Sequence, residues 1–183
     1  MDVTAYIGLG SNLGDGLQTL QRAWEEIGRT TGVTTVAMSA PFLSAPVGMT
    51  SSNWFTNSVG ELKTDLAPFD LLDLLMNVEH SFGRRRESSG EGYQDRTLDL
   101  DILYFGEMAI KSSRLTLPHP FLAERLFVLE PLAQIAPLFK DPVDGLTPGE
   151  KLEDLHRQMR LGTIARQEIS RGKWPAFLRH EQE

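Results

Sequence analysis

The chain has 183 residues, enough for one domain whose core needs no staples, and its 40% hydrophobic and 23% charged content is ordinary for a globular protein. Lysine and arginine number 18 against 25 acidic residues, and the net charge of −7 argues against general nucleic-acid affinity. Cysteine is absent, which excludes disulfides and cysteine-held zinc or redox centres and suits the cytoplasm. The opening residues lack the basic stretch and long apolar run of a secretory leader. No apolar run approaches the roughly 20 residues of a membrane helix, so no membrane partner is expected. An anionic chain can still hold an anionic nucleotide where its basic groups are gathered locally.

Val3 to Leu9 is β-prone and runs into Gly8-Leu9-Gly10-Ser11-Asn12-Leu13-Gly14-Asp15-Gly16. These glycines fit neither the P-loop nor the dinucleotide spacing, so they predict a turn with positive φ rather than a phosphate cradle. Leu17, Leu20, Trp24 and Ile27 predict a helix with Asp15 as its cap. Val33 to Ala45 predicts one strand, and Trp54 to Lys63 a second one antiparallel to it. Asn57 is out of character there, because asparagine is depleted in strands. A bulge or an edge position is one explanation, and an amide placed to read a heterocycle is another.

Pro68 and Gly83 frame a helix whose buried stripe is Leu71, Leu72, Leu75, Val78 and Phe82. Glu79 falls in its last turn, where the macrodipole disfavours an anion, which points to an intramolecular partner or a site role. The polar loop after it carries Arg84, Arg85, Arg86 and Arg96, and guanidinium groups suit bidentate phosphate contact. Arg96-Thr97-Leu98-Asp99-Leu100-Asp101-Ile102-Leu103 then reads as a strand, with Leu98, Leu100 and Ile102 on one face and Asp99 and Asp101 on the other. Residues two apart on a strand have Cα atoms about 6.5–7 Å apart. Parallel carboxylates at that spacing suit Mg²⁺, and with the arginines they make a polyphosphate clamp; alone they would be a solvated face.

Leu117 and His119 both precede proline, so His119 is presented on a stiff, extended mount. Val128 to Ile135 reads as a short helix around Pro131. Thr147-Pro148-Gly149-Glu150 is a capping box opening a helix to Gly162, and Thr163 to Ser170 predicts further helical turns. Trp174, Phe177 and Leu178 are candidates to dock on the body of the protein or on a partner. The order β-α-β-β-α-β predicts an α+β, ferredoxin-like sandwich with an antiparallel sheet and extra C-terminal elements. Residues 1–146 would form the main domain and 147–183 a helical extension packed on it.

Gly83-Arg84-Arg85-Arg86 with Arg96-Thr97-Leu98-Asp99-Leu100-Asp101-Ile102 resembles the signature of the 6-hydroxymethyl-7,8-dihydropterin pyrophosphokinases. Tyr6-Ile7-Gly8-Leu9-Gly10-Ser11-Asn12-Leu13, Leu117-Pro118-His119-Pro120 and Arg125-Leu126-Phe127-Val128-Leu129 extend the likeness over residues 3–140. The resemblance implies transfer of pyrophosphate from ATP to the pterin hydroxymethyl group, giving AMP. It implies two Mg²⁺ on Asp99 and Asp101, and catalytic phosphate-handling roles for Arg84, Arg86 and Arg96. Glu79, Ile102, His119 and Arg125 would join these arginines on ATP. Ser44, Ala45, Val47, Phe55, Asn57 and Phe127 would hold the pterin, with the two phenylalanines as plates around the ring. The partners expected are ATP and 6-hydroxymethyl-7,8-dihydropterin, with no nucleic acid, and a monomer is the expected state. The arginine loop departs from the family pattern: it is about two residues longer, with Tyr93 in place of a tryptophan and Gly92 in place of an arginine. A non-catalytic anion-binding module is the competing reading. A glycosidase is rejected, because its two acids must flank the scissile bond rather than project together from one strand.

Overall fold

Alternation along the strand Val3–Ser11 (β1) sets the layers of the molecule. Ala5, Ile7 and Leu9 enter one core, shared with Leu20, Ala23 and Ile27 of the helix Gly16–Gly28 (α1) and Leu71, Leu75 and Val78 of the helix Pro68–Ser81 (α2). Tyr6 enters the other core, with Leu126, Val128, Leu129 and Leu132 of the helix Leu126–Ile135 (α3) and Leu155 of the helix Pro148–Leu161 (α4). Full burial of each such leucine contributes about 1.5–3 kcal/mol relative to exposure. The computed structural model describes residues 2–48, 51–83 and 95–175. Among these, the chain is a mixed α/β fold with an antiparallel sheet between two helical layers.

The long strand Phe55–Thr64 is the hub of the sheet. It pairs antiparallel with β1 on one side, and on the other with Val33–Met38 (β2) and Phe42–Ser44 (β3), which makes it β4. Asp99–Phe105 (β5) pairs with the free side of β1. Ile110–Lys111 (β6) and Thr116–Leu117 (β7) form a separate small ladder, and Ile169–Arg171 (β8) adds to β3. In β5 the register against β1 shifts between Tyr6 and Ile7. Leu103 and Tyr104 consequently both serve the α3 side, while Leu100 and Ile102 stay in the α1–α2 core.

Several sequence expectations hold. Asp15 caps α1, accepting a hydrogen bond from the Gln18 amide at 3.0 Å, and Thr147 and Glu150 form the capping box of α4. Three need correction. The single strand predicted over Val33 to Ala45 is two, because Pro41 has no amide to continue a ladder and the chain breaks step at Ser39-Ala40-Pro41. There the Ser39 hydroxyl replaces the ladder, accepting from the Val59 amide at 3.0 Å. The glycine run is not a turn throughout: β1 continues through Gly8 and Gly10, and of Gly8, Gly10, Gly14 and Gly16 it is Gly14, φ 71°, that takes the left-handed conformation. Thr163 to Ser170 is not helical. Gly162, φ 73°, ends α4, and the chain then supplies β8 to the exposed edge of β3, whose unpaired backbone groups it satisfies. Trp174 docks as expected, its indole donating to the Ser39 carbonyl at 2.8 Å. Phe177 and Leu178 lie outside the described residues.

Candidate active site

The α3 face of the sheet carries a cleft of about 700 Å³, open solvent included. Its floor is made by what β1 lacks. Gly8 and Gly10 point their missing side chains into the cleft, and a Cβ on Gly10 would stand 3.3 Å from the Asn57 amide oxygen. Glycine inside a strand marks such a close approach. Asp99, Asp101 and Leu103 of β5 rise on one side, Phe55, Asn57 and Val59 of β4 on the other, and Arg125, Phe127 and Val128 close over the top.

On the β5 side charge is concentrated. An Arg96 guanidinium nitrogen lies 3.0 Å from an Asp99 carboxylate oxygen, with both side chains mostly buried. Arg96 is itself fixed from behind: its amide donates to Asn12 Oδ1 at 2.7 Å, and its carbonyl accepts from the Asn12 amide at 3.2 Å. Burial, reinforced by Asp99, pushes the Asp101 carboxyl up to about 7. Glu79 does not line the cleft; it is buried behind β5, where its Oε1 accepts the Leu100 amide at 2.7 Å. That contact answers its awkward place at the end of α2. Ile102, 3% exposed, has its side chain in the α1–α2 core.

His119 stands at the cleft with Nε2 3.9 Å from Asp101 Oδ2. Burial, helped by the Arg125 guanidinium, lowers its pKa to about 4, so the imidazole is neutral at pH 7 and this contact is not an ion pair. The Phe121 amide donates to Nδ1 at 3.3 Å, which places the proton of the neutral ring on Nε2, facing the acid. Its own amide is tied to the Leu103 carbonyl at 3.0 Å, which makes the stiff mount continuous with β5. Arg125 lies across two rings, 5.0 Å from the Phe121 centroid and 5.7 Å from that of Phe127.

Asn57 is neither a bulge nor an edge residue. It sits in β4 between Gly10 and Phe42, buried, and its amide nitrogen donates to the Ser44 hydroxyl at 2.9 Å. Ser44, Ala45, Val47, Phe55 and Phe127 line the same cleft. The structure thus brings together Ser44, Ala45, Val47, Phe55, Asn57, Arg96, Asp99, Asp101, His119, Arg125 and Phe127, and leaves Glu79 and Ile102 outside the lining. Arg84 and Arg86 lie outside the described residues, as do Arg85, Gly92 and Tyr93. Sequence reasoning missed the glycine floor, although the Gly8-x-Gly10 spacing on a strand was its signal. It also missed Asp95, whose carboxylate gathers Asn12, Ser51 and Asn53 at 2.6, 2.7 and 2.7 Å and has no local sequence signature.

Residues 6–137 match the sequence profile described as 7,8-dihydro-6-hydroxymethylpterin-pyrophosphokinase. Among similar proteins, the 2-amino-4-hydroxy-6-hydroxymethyldihydropteridine pyrophosphokinase of Methylorubrum extorquens is 41% identical over 133 residues, 73% of this chain and 82% of the relative. The enzyme of the same name from Bacillus subtilis is 42% identical over 135 residues, 74% of this chain and 79% of the relative. In fold, the chain is similar to the Plasmodium falciparum HPPK-DHPS structure with pterin and p-hydroxybenzoate, with a TM-score of 0.69 at 14% identity. That match covers 89% of this chain and 43% of the other, so this chain spans less than half of that protein. Profile and relatives together make the protein a pyrophosphokinase. It belongs to the 7,8-dihydro-6-hydroxymethylpterin-pyrophosphokinase family.

Proposed function

We propose that the cleft transfers the pyrophosphoryl group of ATP to the hydroxymethyl oxygen of 6-hydroxymethyl-7,8-dihydropterin. The observation that carries this reading is the meeting in one cleft of an acid pair, arginine and imidazole with the Asn57 amide and the rings of Phe55 and Phe127. The flat ring stacks between Phe55 and Phe127, while the Asn57 amide and backbone groups of Ser44, Ala45 and Val47 read its edge.

The triphosphate runs along the acid pair. The substrate oxygen bonds to the β-phosphorus as the bridge to the α-phosphate breaks; that electron pair leaves on AMP, and the hydroxyl proton is released. No covalent enzyme intermediate is needed, only in-line positioning and neutralised charge. Arg84, Arg86, Arg96 and Arg125 supply positive charge, and neutral His119 offers its Nε2–H as a hydrogen-bond donor. Glu79 shapes the site through the Leu100 amide, and Ile102 contributes by its main chain.

The donor set fits Mg²⁺. Two carboxylates share one strand face, and burial and the neighbouring Asp99 disfavour the charged form of Asp101. Among the described residues no cluster of three or more metal-ligating side chains exists, so Asp99 and Asp101 would hold the two ions with phosphate oxygens and water completing the shells. Bound there, the ions would screen the phosphate charge and polarise the bond to be broken. We further read the β1-α1-β2-β4-α2-β5 core as ferredoxin-like, with residues 147–183 as an extension packed on the 1–146 domain. Phosphorus NMR of a mixture with ATP, Mg²⁺ and the pterin tests the reaction type. AMP and a pterin diphosphate are expected, and ADP with a pterin monophosphate would refute it.

A further inference from the structure

The segment after α4 lies beyond the family match, yet its hydrogen bonds fall on both walls of the cleft. The Gln167 side chain makes two of them. Its Nε2 donates to the Glu124 carbonyl at 2.7 Å, and its Oε1 accepts from the Leu126 amide at 2.9 Å. The pair brackets Arg125 as a neighbouring strand would. The start of α3 needs such a partner, because first-turn amides have none within a helix and the N-cap, Arg125, provides no side-chain cap.

The next residue reaches the opposite wall. The Glu168 carbonyl accepts from the Ala45 amide at 3.1 Å, and β8 then runs along β3 with Ile169 opposite Ser44 and Arg171 opposite Phe42. Two consecutive residues therefore tie the mount of Arg125 and Phe127 to the wall that carries Ser44 and Ala45.

We propose that Gln167 is a positioning residue for the reaction, fixing Arg125 and Phe127 relative to the Ser44–Val47 wall and so setting the ring slot between Phe55 and Phe127. This rests on the pyrophosphokinase reading of the cleft. Gln167 touches neither substrate; it acts through the α3 start. Were the tail only a stabiliser, its loss would lower the melting temperature and leave substrate affinity alone.

Full-length Gln167→Ala, Gln167→Met and Gln167→Glu, with the exposed neighbour Arg166→Ala as control, separate these cases by KM for each substrate and by Tm. Ala and Met should raise both KM values about fivefold, the scale of a lost helix cap. Glu keeps the acceptor for the Leu126 amide and places an anion at a helix N-terminus, so it should recover most of the affinity. Arg166→Ala should match the wild type. Unchanged KM values in Ala and Met, whatever their Tm, overturn the proposal, as does recovery by Met equal to that by Glu. If Ala does not fold, the Met–Glu comparison decides at nearly constant volume. Absence of turnover in the wild type would instead overturn the reading of the cleft itself.

Discussion

Asp99 opens β5 and Glu79 is packed against it from α2, and the structure gives the two acids different work. Asp99 faces the cleft and meets Arg96; Glu79 is buried and receives the Leu100 amide at 2.7 Å. Asp99→Ala should cut turnover by at least about a hundredfold, the scale of losing one charge stabiliser, with an unchanged circular dichroism spectrum. Glu79→Ala takes the acceptor from a buried amide and should cost about 1–3 kcal/mol in urea unfolding, while Glu79→Gln, which keeps an acceptor oxygen, should cost less. The acid pair was legible from sequence because strand alternation alone separates it from Leu98, Leu100 and Ile102. Glu79 was legible only as a misfit: its contact joins two elements, and no local pattern encodes such a distance in the chain. Asn57 was open between two readings until its neighbours on β1 and β3 placed it inside the sheet.

Between elements, the α4 layer is fastened to β5 by a buried polar cluster. Asp141 is 6% and Lys151 7% exposed; Asp141 lies 3.1 Å from the Lys151 ammonium and accepts the Tyr104 hydroxyl at 2.8 Å, and Asp144 pairs with the same lysine. Asp141→Ala should cost about 1–3 kcal/mol, because the buried Tyr104 hydroxyl loses its acceptor while the Lys151 ammonium keeps Asp144. Burial alone would raise the Asp141 carboxyl, but the Val143 amide, the Tyr104 hydroxyl and Lys151 outweigh it and hold the group below the usual range. A depressed folded pKa gives stability that is full above the unfolded value of about 4 and is lost as pH falls through the folded value. Thermal unfolding across acid pH should show that loss, and Asp141→Asn should flatten it. Caps made α1 and α4 readable, and Pro68 and Gly83 the bounds of α2, because each is local chemistry. The split of β2 from β3 turned on Pro41 and the Ser39 hydroxyl, and β8 on an edge that exists only after the sheet has formed.

At the scale of the molecule, a chain of net charge −7 gathers arginine and imidazole at one cleft. The antiparallel sheet and its helical layers followed from hydrophobic period, since helix and strand patterns state which face is buried. The cleft itself did not, because its floor is made of the glycines of β1 and its walls come from β3, β4, β5 and α3. Only folding brings those into one place. The family likeness supplied roles that the residues alone left open, and residues 3–140 carry it, close to the profile match at 6–137. The proposed transfer needs ATP, Mg²⁺ and the pterin together. Release of AMP from ATP, followed with each component omitted in turn, tests it most directly. AMP is expected only in the complete mixture; AMP formed without the pterin, or none from folded protein with all three present, would overturn the assignment.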